Sequence, residues 1–212
     1  MVYEMRFFSS KSRWHDEDDS FVMVWETGDK KPVLNTKICG KLLACLGNVG
    51  KTFEIPDGID TIGTGAFYKS DWDYFDCPIE KMVIPASVTK IEEGAFEFTN
   101  ISKVTIHPNS PAGIVKNKGI YTNDESTLLW ALEATKDGEY IVPNGVTRIG
   151  RCAVDANRGF TTVVIPSSVE KIYYNDNEDY HYDGLTIKAP AGSYVIRFAK
   201  KHGIDYVEIE SD

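Results

Sequence analysis

The chain has 212 residues, of which 42% are hydrophobic, enough for a packed core and against a disordered chain. Its formal net charge is −9, and an acidic surface repels phosphate backbones and anionic headgroups, which argues against nucleic acid as a partner and against docking on an anionic membrane. No apolar run approaches the roughly 20 residues of a membrane span, so no membrane insertion is expected.

The first ten residues, Met1 to Ser10, lack a basic region followed by an apolar stretch and a small-residue cleavage site, and the compartment stays open. Two extended runs follow one another, Val2 to Phe8 and Phe21 to Thr27. The loop Lys11 to Ser20 between them carries Asp16-Glu17-Asp18-Asp19. This piece, residues 1–36, is expected to be a hairpin that caps the open end of the domain spanning residues 37–212.

From there a repeat governs the chain. Ile55-Pro-Asp-Gly-Ile59-Asp-Thr-Ile62, Ile84-Pro-Ala-Ser-Val88-Thr-Lys-Ile91, Val142-Pro-Asn-Gly-Val146-Thr-Arg-Ile149 and Ile165-Pro-Ser-Ser-Val169-Glu-Lys-Ile172 align with apolar residues at the same three places. Three copies continue to Ala66-Phe67, Ala95-Phe96 and Ala153-Val154. Upstream, Ile79, Met82 and Ile84 recur as Ile101, Val104 and Ile106, then as Phe160, Val163 and Ile165, with Tyr182, Leu185 and Ile187 as a degenerate copy. Apolar residues two apart, such as Met82 and Ile84, place two side chains on one face of a short strand. Proline ends that strand because it has no N–H to donate, and pre-sets the first position of the turn. A second short extended piece follows, and Ala-Phe is expected in a helical turn with its ring inward. One coil cannot bury these faces alone, so coils stack. Val154 in place of Phe implies a thinner or repacked corner.

Little in the sequence points to chemistry. Cys39, Cys45, Cys77 and Cys152 form no Cys-x-x-Cys pair, and His15, His107, His181 and His202 are far apart, so neither a disulfide scaffold nor a zinc site is indicated. Gly63-Thr64-Gly65 lacks the Lys-Ser/Thr of a phosphate loop, and no Gly-x-Ser-x-Gly is present. A non-enzymatic protein without a cofactor is expected. Asp176, Glu178, Asp179 and Asp183, like the acidic run 16–19, do not match the spacing of a calcium loop and read as solvated loops.

The strings MVIPASVTKIEEGAF, FEIPDGIDTIGTGAF, YIVPNGVTRIGRCAV and VVIPSSVEKI resemble the BspA-like (Treponema-type) leucine-rich repeat. The resemblance covers about residues 37–212. It implies an α/β repeat: a right-handed leucine-rich-repeat solenoid with short parallel strands, mostly β and loop, and few short helices. Leu185 through Ile204 looks like the family's closing repeat, with a short helix leading to a last strand, Tyr206 to Ile209. Gly119-Ile-Tyr-Thr-Asn-Asp with Leu128-Leu129 resembles the family's strand-turn-strand excursion, and Lys41-Leu-Leu-Ala-Cys-Leu is similar to a shorter version of it. The family is linked to adhesion at the surfaces of host-associated microbes, which makes a cell-surface or secreted protein the implied setting.

The residue between the two inward positions of each strand is expected to face out. Stacking then lines up Glu54, Val83, Thr105, Ile141, Val164 and Thr186 in one row, beside Lys81, Lys103, Thr162 and Gly184. Such a face suits a protein or peptide partner. The aromatic excursions offer a second surface, Trp72, Tyr74 and Phe75 or Tyr173, Tyr174, Tyr180 and Tyr182, for a protein or a glycan, unless they fold back over the coils. The readings left open are therefore a protein-binding module, a carbohydrate-binding module using aromatic loops, and a structural spacer within a larger assembly.

Overall fold

The computed structural model describes residues 3–9, 20–26, 40–42, 51–67, 79–97, 99–174 and 182–210. The chain divides into two compact units, Met1–Ala112 and Gly113–Asp212.

The first unit holds, in chain order, β1 (Tyr3–Ser9), β2 (Ser20–Glu26), β3 (Gly40–Leu42), β4 (Thr52–Glu54), β5 (Ile59–Ile62), β6 (Lys81–Ile84), β7 (Lys90–Ile91) and β8 (Lys103–Ile106). β1 and β2 pair antiparallel, from Tyr3 opposite Glu26 to Ser9 opposite Ser20, as the two extended runs lead one to expect. The connecting loop lies outside the described residues. The remaining strands form two parallel sheets, β4-β6-β8 and β3-β5-β7, so each coil gives one strand to each sheet. Ile55, Ile59, Ile62, Ile84, Val88 and Ile91 are all buried, which is why the apolar triplet recurs. Each proline opens the turn between the two strands of its coil: the Pro56 carbonyl accepts from Ile59 N–H (3.4 Å) and the Pro85 carbonyl from Val88 N–H (3.3 Å). Gly58 takes the third turn position at φ 100°, a left-handed value that a serine avoids; Ser87, in the equivalent place, shows no positive φ. Gly58 N–H donates to Ser87 Oγ at 3.1 Å, tying one turn to the next.

The Ala-Phe corner is built of hydrogen-bonded turns rather than a stretch of helix. Ala66 N–H donates to the Gly63 carbonyl (3.2 Å) and Ala95 N–H to the Glu92 carbonyl (3.1 Å). Gly65 and Gly94 enter left-handed φ (63° and 75°) just before the alanine, and this reversal stops helix propagation. Phe67 and Phe96 are buried with their rings stacked, centroids 6.1 Å apart and 10° from parallel.

The second unit continues the labels with β9 (Ile114–Lys116), β10 (Gly119–Tyr121), β11 (Thr127–Ala131), β12 (Glu139–Ile141), β13 (Arg148–Ile149), β14 (Thr162–Val164), β15 (Lys171–Ile172), β16 (Thr186–Pro190), α1 (Tyr194–His202) and β17 (Tyr206–Ile209). One sheet is parallel, β12-β14-β16-β17. The other runs β15-β13-β11-β10-β9, its first three strands parallel and its last two antiparallel; these last two, with β11, are the excursion expected from the sequence. Leu128 pairs with Ile149 as Leu42 pairs with Ile62, so β3 stands to its sheet as β11 does to this one. Val142, Val146, Ile149, Ile165, Val169 and Ile172 are buried, and the Pro143 and Pro166 carbonyls again accept from the residue three on, Val146 and Val169.

The corner at Val154 departs from its sisters in two ways. Cys152, not glycine, takes the left-handed φ (51°) before the alanine. A short 3-10 helix, Ala156–Arg158, follows, and brings the Arg158 guanidinium over the rings of Trp130 (4.3 Å) and Phe160 (5.4 Å). The repacking inferred from the missing phenylalanine is therefore present. At the end of the chain, α1 is capped by Ser193, whose side chain accepts from Ile196 N–H (3.3 Å), and by Gly203 at φ 70°. Its Val195, Ile196, Phe198 and Ala199 are buried over the last coil.

The degenerate last copy sits in a different register from the expected one. Ile187 pairs with Val163 and Thr186 with Thr162, so the inward strand set is Leu185, Ile187 and Ala189, not Tyr182, Leu185 and Ile187. The longer spacing to Pro190 is absorbed ahead of the strand, where Tyr182 packs on Tyr174 and Phe198 instead of filling a strand position.

Candidate interaction surface

Strand alternation gives each first-named sheet an inner face in the core and an outer face toward solvent. In the first unit the outer face has two rows set by the pairing: Thr52–Lys81–Lys103 and Glu54–Val83–Thr105. All six side chains are exposed, while Phe53, Met82 and Val104 between them are buried. Five candidates from the sequence, Glu54, Lys81, Val83, Lys103 and Thr105, are thus neighbours on one surface.

In the second unit the rows are Glu139–Thr162–Thr186 and Ile141–Val164–Lys188–Val207. Ile141 is 56% exposed and Val207 46%, a conspicuous amount for aliphatic side chains on a sheet. The register corrects two expectations. Thr186 belongs beside Thr162, and Lys188 takes the place beside Val164 that Thr186 was expected to hold. Gly184 precedes β16 and joins no row. Lys188 escaped the sequence reading because the two-residue slip of the last copy hides it; Val207 lies on the expected closing strand, and its place in the row follows only from its pairing with Lys188. Lys188 Nζ reaches Glu139 Oε2 at 3.0 Å, so its charge is met within the face.

The second sheet of the first unit also meets its lysines internally. Lys41 and Lys90 both contact Glu92, at 2.9 and 3.5 Å. Burial pushes the Glu92 carboxyl up, but hydrogen bonds from Lys41 and from the Thr64 backbone, with both lysine charges, hold it below the usual carboxylate range.

The aromatic candidates fare unevenly. Trp72, Tyr74, Phe75 and Tyr180 fall outside the described residues. Tyr174 is half-buried against α1, its ring 5.6 Å from that of Phe198 and 3.8 Å from that of His202, so it serves packing. Tyr173 accepts from Arg151 at 3.4 Å, with the guanidinium 5.6 Å from its ring. Among the described residues no group of three or more His, Cys, Asp or Glu side chains is arranged to hold a metal ion, and no helix is long and apolar enough to cross a membrane. The acidic runs 16–19 and 176–179 lie outside the described residues.

Coils that each give a short strand to two parallel sheets, a proline turn between them and buried apolar triplets in register define a leucine-rich-repeat solenoid, a repeat fold commonly used for protein interaction. Over residues 46–117 the chain matches the BspA type leucine rich repeat region, with six copies. In fold it is similar to a leucine-rich repeat protein from Eubacterium ventriosum ATCC 27560, with 20% identity and a TM-score of 0.50 over 77% of this chain and 46% of that one. It is also similar to the pneumococcal vaccine antigen PcpA, with 15% identity and a TM-score of 0.56 over 79% of this chain and 50% of that one. The chain therefore spans half or less of the length of these structures, and at such identities the likeness carries the fold alone. No curated protein matches the chain.

Proposed function

We propose that the chain is a non-enzymatic interaction module that binds a protein or peptide partner through the outer faces of its first-named sheets, in an adhesion-type role of the kind the family resemblance implies. The observation that carries this reading is the aliphatic side chains left open on the strand face of each unit: in the second, Ile141, 56% exposed, pairs directly with the half-buried Val164, and in the first Val83 stands open. A monomeric fold gains nothing from such exposure, whereas a partner that covers it removes apolar area from water. The groups with the largest ionisation shifts, Tyr140, Tyr182 and Arg158, are perturbed by burial in the coil interior, which favours a structural over a catalytic role for them.

The test is capture of partners from extracts of the protein's natural environment by wild type, Thr105→Arg and Ile141→Asp, each confirmed as folded by circular dichroism. A protein held by wild type and lost from either variant is the expected result. A partner retained equally by all three refutes the sheet-face site, and capture of nothing by any of them favours the spacer role.

A further inference from the structure

The outer face of β4-β6-β8 carries a charge arrangement that the fold does not need. Lys81 and Lys103 are directly paired across parallel strands, about 4.8 Å apart at the backbone. Like charges set side by side on a sheet destabilise it. Most other strand lysines are answered internally, Lys41 and Lys90 by Glu92, Lys116 by Glu125 and Lys188 by Glu139; Lys171, beside Arg148, is the exception. Lys51, at the edge of this same face, is taken by Glu80 at 2.6 Å. Lys81 and Lys103 are both exposed, and among the described residues neither enters an ion pair. Their row neighbour is Thr52, and the adjoining row offers the open Val83 and Thr105 with Glu54 at its far end, so a partner's carboxylates fit on the Lys81–Lys103 side, away from Glu54.

We propose that this face takes an acidic, extended peptide segment of a partner protein, with carboxylates bridging the Lys81–Lys103 pair and an aliphatic side chain seated on Val83; this rests on the sheet-face reading above. A carboxylate placed over two ammonium groups at strand spacing contacts both, and relieves the repulsion between them. The net charge of −9 is no obstacle at physiological ionic strength. The screening length there is about 8 Å, so the two lysines act together on a nearby carboxylate while distant acidic groups are screened. The match is to a local acidic stretch with interleaved aliphatic residues. A uniformly acidic chain would leave Val83 uncovered.

The probes are three fluorescein-labelled octapeptides of alternating residues, Glu with Val, Gln with Val and Lys with Val, read by fluorescence anisotropy against the full chain. The Glu-Val peptide is expected to bind wild type, to weaken about tenfold with Lys81→Gln/Lys103→Gln, and to weaken again between about 50 and about 300 mM salt. Lys136→Gln, an exposed lysine in the second unit, serves as the control and is expected to change nothing. Circular dichroism establishes that the variants are folded. If the Gln-Val peptide binds as well as Glu-Val and the double variant leaves both unchanged, the acidic-segment proposal is overturned while the sheet face survives as an apolar site. If no octapeptide binds, the proposal is likewise overturned, and capture with Thr105→Arg decides the broader reading separately.

Discussion

Tyr121 and Tyr140 lie 1% and 2% exposed in the second unit, with their hydroxyl oxygens 2.7 Å apart. Each phenol is the other's partner across the interior, and this determines how the site responds to losing one of them. Tyr140→Phe deletes one hydroxyl and leaves the other buried without its partner, which costs about 1–3 kcal/mol, the desolvation penalty of an orphaned polar group. Tyr121→Phe costs a similar amount for the same reason. The double replacement leaves two apolar rings of nearly unchanged shape and orphans nothing, so it costs about 0–1 kcal/mol. The single costs therefore do not add, and the coupling between them is at least about 1 kcal/mol. Urea unfolding of the full chain followed by circular dichroism, with all four proteins in one buffer, measures the cycle. If the double variant loses as much as the two single variants together, the bond between the hydroxyls is not what holds them in the core, and the reasoning fails.

Three further outcomes are expected. Gly119→Ala places a Cβ 2.2 Å from the Tyr140 hydroxyl, so it destabilises by about 1–3 kcal/mol in wild type and by clearly less beside Tyr140→Phe, a difference urea midpoints resolve. Ser168→Ala removes the acceptor of Gly145 N–H (3.2 Å) and the donor to the Val146 carbonyl (2.8 Å); it costs about 1–2 kcal/mol by thermal or urea unfolding, and Ser168→Thr recovers part of it. Burial pushes the Tyr140 and Tyr182 phenols above their ordinary value of 10.0, so their stability contribution is full below pH 10 and is lost as pH rises beyond it, when the unfolded phenols ionise and the folded ones do not. Unfolding midpoints measured across that range fall steeply in wild type and less steeply in Tyr140→Phe.

The coils were legible because the constraint on them is local and repeated. An inward triplet such as Ile84, Val88 and Ile91 must be apolar in every copy, and proline marks where each strand ends. The outer face of the first unit followed directly, since counting from Met82 and Val104 places Lys81, Val83, Lys103 and Thr105 without further information. Legibility failed where spacing changed. The last copy offered Tyr182 and Leu185 at plausible places, and only the pairing of Ile187 with Val163 shows that the strand runs two residues later. Pairwise charge neutralisation was also hidden, because Lys188 and Glu139 are 49 residues apart in sequence and meet only through the stack. Cys152 gave a partial signal: it stands where Gly65 and Gly94 stand, in a position the corner geometry forces to positive φ, yet nothing in its identity announces that it tolerates the strain.

Arg158 is where the repeat breaks its own rule, and its energetic sign is open to test. Val154 leaves the corner short of the ring that Phe67 and Phe96 supply in the first unit. The Arg158 guanidinium sits over the rings of Trp130 and Phe160, 4.3 and 5.4 Å from their centroids, and it donates to the Ala131 and Leu132 carbonyls at 2.6 and 3.0 Å. Burial pushes its pKa down to about 10, opposed by Asp155, so it remains charged at neutral pH. Two accounts of this group predict opposite orders. If the buried charge is a burden carried for no gain, an apolar side chain of similar length improves matters, as happens at some buried ion pairs. If the fork and the stack together close the corner, Arg158→Met strips the two carbonyls of their donor and costs about 3–5 kcal/mol. Arg158→Lys then keeps a charge and one donor but loses the planar contact, and costs about 1.5–3 kcal/mol. The geometry favours the second order, because both hydrogen bonds are short and run to backbone carbonyls at the end of β11 and just after it. Urea midpoints of the two variants decide it: Met more damaging than Lys supports the closed corner, and Met equal to or better than wild type refutes it.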